Sequence, residues 1–329
     1  MKISICIPTY NQCQYLEKAI FSAYEQSVMP MEIIVSNDCS TDHTTRLLED
    51  LKLKIPLLKV INQPLNLGIT DNTDNCLREA KGDFIVRLDS DDFLEKNYCE
   101  VLSQLLIAYP SAGYAHANVH EVDQFDNFLR NRVLYRTQSF EDSDLALKNS
   151  IRGYRVSANI IMFRKSALIG VNYLCNRPDF AEDYHLAVNI AANGWGNAFS
   201  SAVLANYRVW VDHGTVRRKR KLNELNGLFS VFNDMIEPAY DQRAWNKAEV
   251  NTMRTKIACT QADCLSWDIY DEEEKNALTA AVERLSNSKK TAIYVWAYKN
   301  GYAGLLNFGT WTERKIKSAA KRIILYYKS

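Results

Sequence analysis

The chain has 329 residues, of which 47% are hydrophobic and 24% are charged; this composition indicates one large globular domain with an appendage, or two domains, and excludes a disordered protein. Its 40 basic and 39 acidic residues give a net charge of +1, so the overall charge does not indicate a nucleic-acid partner. The 8 cysteines form no Cys-x-x-Cys pair, and the sequence has neither a signal peptide nor an apolar stretch of about 18 residues. We therefore expect a reduced, cytoplasmic protein that is neither secreted nor membrane-spanning.

The first 110 residues alternate short runs of strand-forming residues with longer amphipathic runs. This pattern predicts an α/β fold, in which βαβ units build a mostly parallel sheet flanked by helices. Strands are predicted at 3–8, 31–36, 56–62 and 83–89. Helices are predicted at 15–24, 41–51 and 70–80, with Ser40 and Thr70 as N-cap candidates. Ligands of such sheets bind beyond the carboxyl ends of the strands, so three segments should line one crevice: Pro8–Asn11, Asn37–Ser40 and Asp89–Asp92.

Three carboxylates, Asp89, Asp91 and Asp92, follow the fourth predicted strand. Carboxylates this close repel one another and are costly to bury, so a fold that buries them needs a cation or many hydrogen bonds. Hard oxygen ligands suit Mg²⁺ or Mn²⁺, and these cations suit phosphates. Alone, however, the segment is more typical of a solvated acidic turn that starts a helix near Leu94. Only its context can decide between the two interpretations.

The next part of the chain, 111–215, is rich in strand-forming residues. Within it, His116 and His120 alternate with Tyr114 and Asn118, which predicts one face of a strand. Histidines four apart ligate a metal more readily on a helix. We therefore expect these two to be hydrogen-bonded or exposed side chains.

A second acidic pair, Glu182 and Asp183, opens a predicted helix that ends at Asn193, with Gly194 as the residue after its C-cap. Acidic residues in a first turn are favoured by the helix dipole, so the pair alone carries no functional information. The same helix start would also present both carboxylates to a cleft.

The C-terminal region, 216–329, is predicted to be helical. It begins with the basic run Arg217–Lys221, which is either a solvated helix start or a contact for a diphosphate, a lipid pyrophosphate or an anionic membrane. No aromatic residues interleave with this run, so it does not indicate nucleic-acid binding. The segment 311–328 is basic and amphipathic, which fits peripheral membrane contact as well as packing on the catalytic domain or on a partner subunit.

Several motifs occur in an order that resembles the GT-A fold glycosyltransferases of family 2, which are inverting nucleotide-sugar transferases. They are Ile5–Asn11 ("iPtYN"), Glu32–Asp42 ("EiivvDDgStD"), Asn66–Gly68, Lys81–Ile85, Leu88–Asp92 (the DxD element) and Glu182–Asp183 (the ED motif). The resemblance implies that 1–110 is the nucleotide-sugar-binding half of a GT-A domain and 111–215 its acceptor-binding half. The region 216–329 follows as a helical C-terminal part. The resemblance also implies a metal-dependent enzyme that builds a polysaccharide or glycolipid at the inner face of a membrane.

The resemblance assigns the donor and its metal ion to the strand-end segments. Asp91 is expected to ligate Mn²⁺ or Mg²⁺, and Asp89 to contact the ribose or a coordinated water. Asp92 completes the shell of the cation or caps the following helix. A cation would stabilise the charge that develops on the leaving diphosphate. Further donor contacts are expected from Asn66, Gly68 and Ser90.

For the nucleobase we expect Asp38, because a carboxylate can accept the imide N–H of uracil, which favours a UDP-sugar. Its alternative role is to cap the helix that follows Ser40. Pro8, Thr9 and Tyr10 would supply backbone groups and a ring face. Arg87 would reach the diphosphate or the sugar, or else pair with Asp83.

The acceptor, a glycan or a lipid-linked glycan, must lose a hydroxyl proton as it attacks. The resemblance makes Asp183 the general base, with Glu182 holding the acceptor or neighbouring groups. The segment 207–216 resembles the family ending in which a His contributes to the metal or diphosphate. In the family pattern this His would stand near Trp210. His213 therefore takes the role only if the loop shifts, and otherwise it is a loop histidine.

Two residues depart from the family pattern. Cys39 stands where the family usually has Gly, and Asp74 stands where it usually has Asn.

Two other functions remain open: a nucleotidyltransferase on a related α/β fold, and an inactive binding protein on a GT-A fold. A nucleotidyltransferase normally has a Gly-rich basic loop after its first strand, which is absent here. Intact Asp91 and Asp183 argue against the inactive protein.

Overall fold

The computed structural model describes residues 2–174, 180–210, 220–302, 304 and 306. The chain divides into two compact units. The first comprises Met1–Val211 with Asn233–Ala239, and the second comprises Asp212–Phe232 with Tyr240–Ser329.

The first unit contains a mixed, largely buried sheet. Its strands are β1 (Ile3–Thr9), β2 (Glu32–Asn37), β3 (Leu58–Asn62), β4 (Phe84–Arg87), β5 (Phe93–Leu94), β6 (Ala112–Val122), β7 (Phe128–Arg132), β8 (Phe140–Glu141), β9 (Ile161–Arg164) and β10 (Gly196–Arg208). The main path runs β3-β2-β1-β4-β9-β6-β10-β5, while β7 pairs with β6 and β8 with β10. β1 is parallel to β2 and to β4, whereas β9 runs antiparallel to β4.

Helices follow most of the strands along the chain. They are α1 (Cys13–Tyr24), α2 (Thr44–Lys54), α3 (Ile69–Glu79), α4 (Tyr98–Ala108), α5 (Ser143–Ser150), α6 (Lys165–Gly170), α7 (Glu182–Ala192), α8 (Lys221–Ser230), α9 (Glu237–Gln242), α10 (Ala248–Gln261), α11 (Glu272–Leu285) and α12 (Lys289–Lys299). A π-helical segment (Val231–Ile236) and a 3₁₀ segment (Ala262–Ser266) join some of them.

The predicted α/β fold is confirmed, and the first four strands and first three helices overlap the predicted ranges, although α2 (Thr44–Lys54) begins later than the predicted 41–51 and β4 (Phe84–Arg87) is shorter than the predicted 83–89. The predicted N-caps are wrong. α2 begins at Thr44, whose N–H is bound by Asp42 Oδ1 at 2.9 Å, so Ser40 lies too early. α3 has Gly68 as its N-cap, and Thr70 lies inside the helix.

Helices cover both faces of the sheet, and every residue of β1 is therefore buried. On one face, Ile5 belongs to a cluster with Leu16 of α1 and Leu102 of α4. On the other, Cys6 belongs to a cluster with Leu77 of α3 and Leu186 of α7. Burial on both sides explains why the parallel strands read as continuous apolar runs without alternation.

The second unit is helical in its described part, as the pattern after 216 predicts. α8, α10 and α11 share an apolar core that includes Leu225, Ala258, Val282 and Leu285. Asp271 caps α11 in a capping box: it accepts from Glu274 N at 2.8 Å, while Glu274 Oε2 accepts from Asp271 N at 3.0 Å. Across the described ranges of the whole chain, no helix combines the length and apolarity needed to span a membrane.

Candidate active site

The ends of β1, β2 and β4 lie side by side, because these neighbouring strands are parallel. The loops beyond them are joined by hydrogen bonds. Asn11 N donates to Ser40 Oγ at 3.0 Å, and Thr41 N donates to Asn11 Oδ1 at 2.8 Å. The structure thus brings the segments after β1 and β2 to one edge of the sheet, and the segment after β4 begins at the same edge.

Asp38 is buried at the end of β2 and holds the turn before α3. Its two carboxylate oxygens accept from Leu67 N at 2.8 Å and Gly68 N at 3.0 Å, while its carbonyl oxygen accepts from Asn66 Nδ2 at 3.3 Å. The cap alternative is wrong, because Asn37 Oδ1, not Asp38, accepts from Ser40 N at 3.2 Å. Each Asp38 oxygen keeps a lone pair for a ligand.

The β1 end presents one exposed ring. Pro8 and Thr9 are buried, whereas Tyr10 is 45% exposed. Thr9 Oγ1 has no hydrogen-bond partner among the described residues. The structure therefore offers one exposed ring at the edge where the sequence predicts the nucleobase, while the Thr9 hydroxyl is buried.

Arg87, the last residue of β4, joins two carboxylates in the interior. Its Nε donates to Asp89 Oδ1 at 3.1 Å, and its Nη1 donates to Asp183 Oδ1. Burial alone would lower the pKa of Arg87, but the charges of Asp183 and Asp89 raise it above its usual value, so the guanidinium stays charged. The alternative pairing with Asp83 is wrong, because Asp83 Oδ2 accepts from Lys2 N at 3.0 Å instead.

Asp183 has an acid–base behaviour unusual for an aspartate. Burial raises the pKa of this carboxyl to about 7; Arg87 opposes the shift, and the charges of Glu182 and Asp89 add to it. A group with a pKa near neutral exchanges protons readily at physiological pH, which is what a general base requires.

The backbone conformation at Ala181 determines where α7 begins and therefore where Glu182 and Asp183 lie. Ala181 adopts a left-handed conformation with φ +66° and makes no side-chain cap. For a residue with a Cβ this conformation costs about 1–2 kcal/mol. The helix begins directly afterwards, so Glu182 and Asp183 occupy its first turn, where the helix dipole favours negative charge. The predicted helix is confirmed, and Gly194 follows it with φ +88°.

In the acidic segment after β4, Asp91 and Asp92 have different partners. Asp91 Oδ2 accepts from Trp210 Nε1 at 2.7 Å, and burial together with the charge of Asp89 raises the pKa of Asp91. Asp92 is buried; its Oδ1 accepts from Arg208 N at 2.7 Å, and burial raises its pKa well above the usual value. Helix capping by Asp92 is wrong, because β5 follows it and α4 begins only at Tyr98.

The residues present fit a divalent cation that takes only one or two ligands from the protein. No group of three or more His, Cys, Asp or Glu side chains in the described ranges is arranged to hold a metal. Asp89 and Asp91 nevertheless supply hard oxygens at the strand end, and Asp89 raises the pKa of Asp91 by repulsion that a cation would relieve. One or two carboxylates plus phosphates and water are an ordinary shell for Mg²⁺. Ser90 is buried between them, and His213 lies outside the described residues.

Arg208 and Trp210 support this segment, and the sequence interpretation missed both roles. Arg208 Nε donates to Asp91 O at 2.8 Å and its Nη2 to Asp126 Oδ1 at 2.6 Å, while its guanidinium lies 4.1 Å from the ring centroid of Tyr15. The ring of Trp210 packs edge-on against Tyr15 at 5.4 Å. In the sequence, Tyr207 and Arg208 indicate only the family ending that contains a histidine, and nothing there predicts their contacts with Asp91.

Comparison with known proteins gives a consistent family. Residues 4–168, half of the chain, match the model described as glycosyl transferase family 2. A curated relative, GalNAc(5)-diNAcBac-PP-undecaprenol beta-1,3-glucosyltransferase of Campylobacter jejuni, is 30% identical over 196 residues, which are 57% of this chain and 59% of that protein. The chain spans only 10% to 19% of the chondroitin and hyaluronan synthases of Pasteurella multocida and Escherichia coli that it also matches.

Two solved structures share the fold. Staphylococcus aureus TarS in complex with UDP-GlcNAc has a TM-score of 0.69 at 18% identity, with 92% of each chain covered. The mannosyltransferase PcManGT of Pyrobaculum calidifontis, in complex with GDP-Man and Mn²⁺, has a TM-score of 0.54 at 18% identity, with 92% of this chain and 86% of that chain covered.

Proposed function

The chain belongs to glycosyl transferase family 2, and on this premise we propose that it is an inverting, metal-dependent glycosyltransferase. It moves a sugar from a nucleotide-sugar to a hydroxyl of a glycan or lipid-linked glycan. The observation that carries the proposal is the Arg87 bridge, which joins Asp183 to Asp89. It links a carboxylate with the pKa of a base to the strand end that suits a metal and a diphosphate.

Asp183 acts as the general base. With a pKa of about 7, its carboxylate takes the proton of the acceptor hydroxyl as that oxygen attacks the anomeric carbon. A single base and a direct displacement invert the configuration at that carbon. Arg87 holds the Asp183 carboxylate through Nη1. Glu182, which precedes Asp183 in the first turn of α7, contacts the acceptor.

Asp91 and Asp89 would hold Mn²⁺ or Mg²⁺ together with the donor. When bound, this ion neutralises the charge that develops on the leaving diphosphate. Trp210 fixes Asp91 through Oδ2 and leaves Oδ1 for a ligand. Arg208 holds the backbone at Asp91, so this carboxylate is oriented before the donor arrives.

A uridine nucleotide suits the β1 and β2 ends best. Asp38 is buried and held by two backbone N–H groups, so it can accept one further hydrogen bond from the imide of uracil in a fixed direction. Tyr10 offers an exposed ring to the base. The UDP-GlcNAc complex of TarS, whose fold is similar, supports this choice.

The acceptor side is proposed from the relatives and from the sequence. The Campylobacter relative is named for an undecaprenyl-diphosphate-linked glycan, which supports a lipid-linked acceptor. We extend the proposal to a place at the inner face of the membrane, where such an acceptor would be met. The basic segment 311–328 would provide peripheral contact with that membrane.

The test is a screen of nucleotide-sugars by thermal shift, with and without Mn²⁺, because a ligand that binds only the folded protein raises its melting temperature. A UDP-sugar should stabilise the protein only with the metal, and Asp91→Asn should abolish the effect. Asp183→Asn should bind the donor normally and fail to transfer the sugar.

The proposal fails if no nucleotide-sugar stabilises the protein in a metal-dependent manner, or if Asp183→Asn retains transfer. Stabilisation by a nucleoside triphosphate with release of diphosphate would instead indicate the nucleotidyltransferase.

A further inference from the structure

The outer side of α12, in the second unit, is apolar. Ile293 is 59% exposed, Trp296 is 57% exposed, and Tyr302, just beyond the helix, is 48% exposed. The rings of Trp296 and Tyr302 stack on each other, with centroids 5.1 Å apart and planes inclined by 10°. Residues three and four apart share one side of a helix, so Lys289, Ile293 and Trp296 form a single stripe. We call Ile293, Trp296 and Tyr302 the α12 patch.

The inner side of the same helix is apolar as well. Val295 and Ala297 are buried, and Val295 belongs to the core of the second unit, against which Tyr294 and Tyr298 pack. A surface helix of a globular protein normally has apolar residues on one side and polar residues on the other, whereas a helix that is apolar all round is normally covered all round. In the described part of the chain the inner side packs on the core and the α12 patch is left in solvent. The patch therefore calls for a partner.

Positive charge surrounds the patch. Lys289 and Lys290 begin α12 and Lys299 ends it; all three are exposed, and the sequence of the helix contains no acidic residue. The asymmetry extends beyond the helix, because residues 289–329 contain nine basic residues and one acidic residue, although the whole chain has a net charge of only +1. Residues 1–288 are consequently net acidic, with 31 basic and 38 acidic residues. A local excess of one sign favours a partner of the opposite sign, which here is anionic.

Lys289 and Lys290 are better placed for that partner than Lys299. Lys299 Nζ donates to Asn276 Oδ1 at 3.5 Å, on the helix α11, whose first turn carries Glu272–Glu274. Those carboxylates offset part of the charge at this end of the patch. Lys289, by contrast, lies on the stripe of the patch itself, and Lys290 is its neighbour.

The same charge disfavours a cover made of this chain. A second copy placed patch to patch would bring the lysines of both copies together, and like charges that face each other oppose association. The segment 311–328 has six basic residues and one acidic residue, so it would add positive charge at the same place. A soluble polyanion would pair with the lysines but leave Trp296 and Ile293 in water. An anionic lipid bilayer offers negative charge and an apolar layer together.

We propose that the α12 patch docks the protein on an anionic lipid surface. Trp296 and Ile293 enter the headgroup region, and Lys289 and Lys290 lie against the lipid phosphates. Trp and Tyr rings are enriched at that depth, because each has an apolar body and a polar group. Lysine stems lie along apolar surface while their ammonium groups stay among the headgroups. This surface is separate from the segment 311–328, and its action does not depend on which sugar is transferred.

The test is sedimentation of the full chain with vesicles of phosphatidylcholine, either alone or mixed with about 30% phosphatidylglycerol. The protein should bind the anionic vesicles and bind the neutral ones much more weakly. Trp296→Gln and Ile293→Asn should each weaken binding by about tenfold, because each removes an apolar side chain from the bilayer. Lys289→Gln and Lys290→Gln should each weaken it by about fivefold, the contribution of one lysine near an anionic surface.

Two exposed residues elsewhere provide matched controls. Tyr135→Ser removes a ring that is 96% exposed in the first unit, and Lys256→Gln removes an exposed lysine of α10. Neither should change vesicle binding. All variants keep the segment 311–328, so any contribution of that segment is common to them.

Two further readouts separate docking from folding and from the proposed reaction. Trp296→Gln and Ile293→Asn change surface side chains, so the melting temperature should change by only a few degrees. UDP binding with Mn²⁺ should be the same in every variant. Loss of this surface is therefore distinguishable from failure of the proposed function.

Several results would overturn the proposal. The protein does not bind anionic vesicles, or the α12 variants bind them as tightly as the unmodified chain, which would assign the membrane contact to 311–328 alone. Weakening by Tyr135→Ser equal to that by Trp296→Gln would show a general effect of exposed rings. A concentration-dependent dimer that Trp296→Gln abolishes would assign the patch to a second copy instead.

Discussion

Arg87 at the end of β4 and Asp183 at the start of α7 are 96 residues apart in the chain, yet they form a buried ion pair through Nη1 and Oδ1. Replacement of Arg87 by Met should therefore lower the free energy of unfolding by about 3–5 kcal/mol, because it leaves Asp183 buried without its partner. Transfer activity should fall as well. Chemical denaturation and initial-rate assays measure the two effects.

A double variant is the control for this pair. In Arg87→Met with Asp183→Asn, the buried charge of Asp183 is removed and only Asp89 lacks its partner, so the double variant should recover part of the stability lost by the first change. If the effects of the two substitutions on the free energy of unfolding are additive, Arg87 and Asp183 do not interact in the way we describe.

The activity should depend on pH through Asp183. Burial raises its pKa to about 7, so the fraction of carboxylate increases as the pH rises through that value. Since only the carboxylate accepts a proton, kcat/KM should decrease about tenfold per pH unit below about pH 7. Rates measured between about pH 5.5 and about pH 9 test this expectation. A flat profile over that range would exclude Asp183 as the titrating base.

Arg208 should matter for stability and for donor binding together. Its guanidinium holds Asp91 O, Asp123 O and Asp126 Oδ1. Arg208→Gln should therefore weaken metal-dependent UDP binding by about tenfold, since the segment that carries Asp91 loses its support. Arg130→Gln is a control at an exposed arginine. Equal UDP affinities in both variants would show that the segment is held by other contacts.

Replacement of Cys39 by Gly should stabilise the protein. The residue has φ +58°, a conformation that glycine adopts without the steric cost of a Cβ. Cys39→Gly should raise the free energy of unfolding by about 0.5–1 kcal/mol, after the greater entropy of glycine in the unfolded chain is deducted. Cys39→Ala retains the Cβ and should gain nothing. Thermal unfolding of the three proteins distinguishes a backbone effect from loss of the thiol.

Gly82 should tolerate no side chain. A Cβ built there would lie 2.7 Å from Ser4 N and 2.9 Å from Lys2 O, both backbone atoms. Gly82→Ala should destabilise the protein by about 2 kcal/mol or more, because β1 or β4 has to shift. At Gly170, the nearest atom is 3.9 Å away, and that residue lies in α6, so Gly170→Ala should be neutral or stabilising. Similar melting temperatures for both variants would contradict this.

The sequence was sufficient to predict the fold of the first 110 residues. Strands buried on both faces leave continuous apolar runs, and helices between them leave a 3.6-residue period; both patterns are local and can therefore be read from one chain. The position of Asp38, Asn11 and Asp89 at one sheet edge follows from the parallel order alone.

The contacts between distant segments could not be predicted in this way. The choice of Asp183 over Asp83 as the partner of Arg87 depends on where α7 begins, and that depends on a left-handed Ala181 that no residue preference indicates. The predicted N-cap of α2 is wrong for a related reason. Several polar residues in 40–44 could serve, and the hydrogen bonds with the β1 loop decide among them.

The antiparallel pairing of β9 with β4 has a consequence for how this protein can evolve. Arg87 pairs with Ile161 and Phe84 with Arg164, so the chain leaves β9 at the edge opposite to the carboxyl end of β4. Asp183 therefore reaches the end of β4 from helix α7, and Arg208 and Trp210, which hold Asp91, come from still later in the chain. Under the proposed function, a substitution in either stretch can affect both substrates, so the donor and acceptor preferences would not evolve independently.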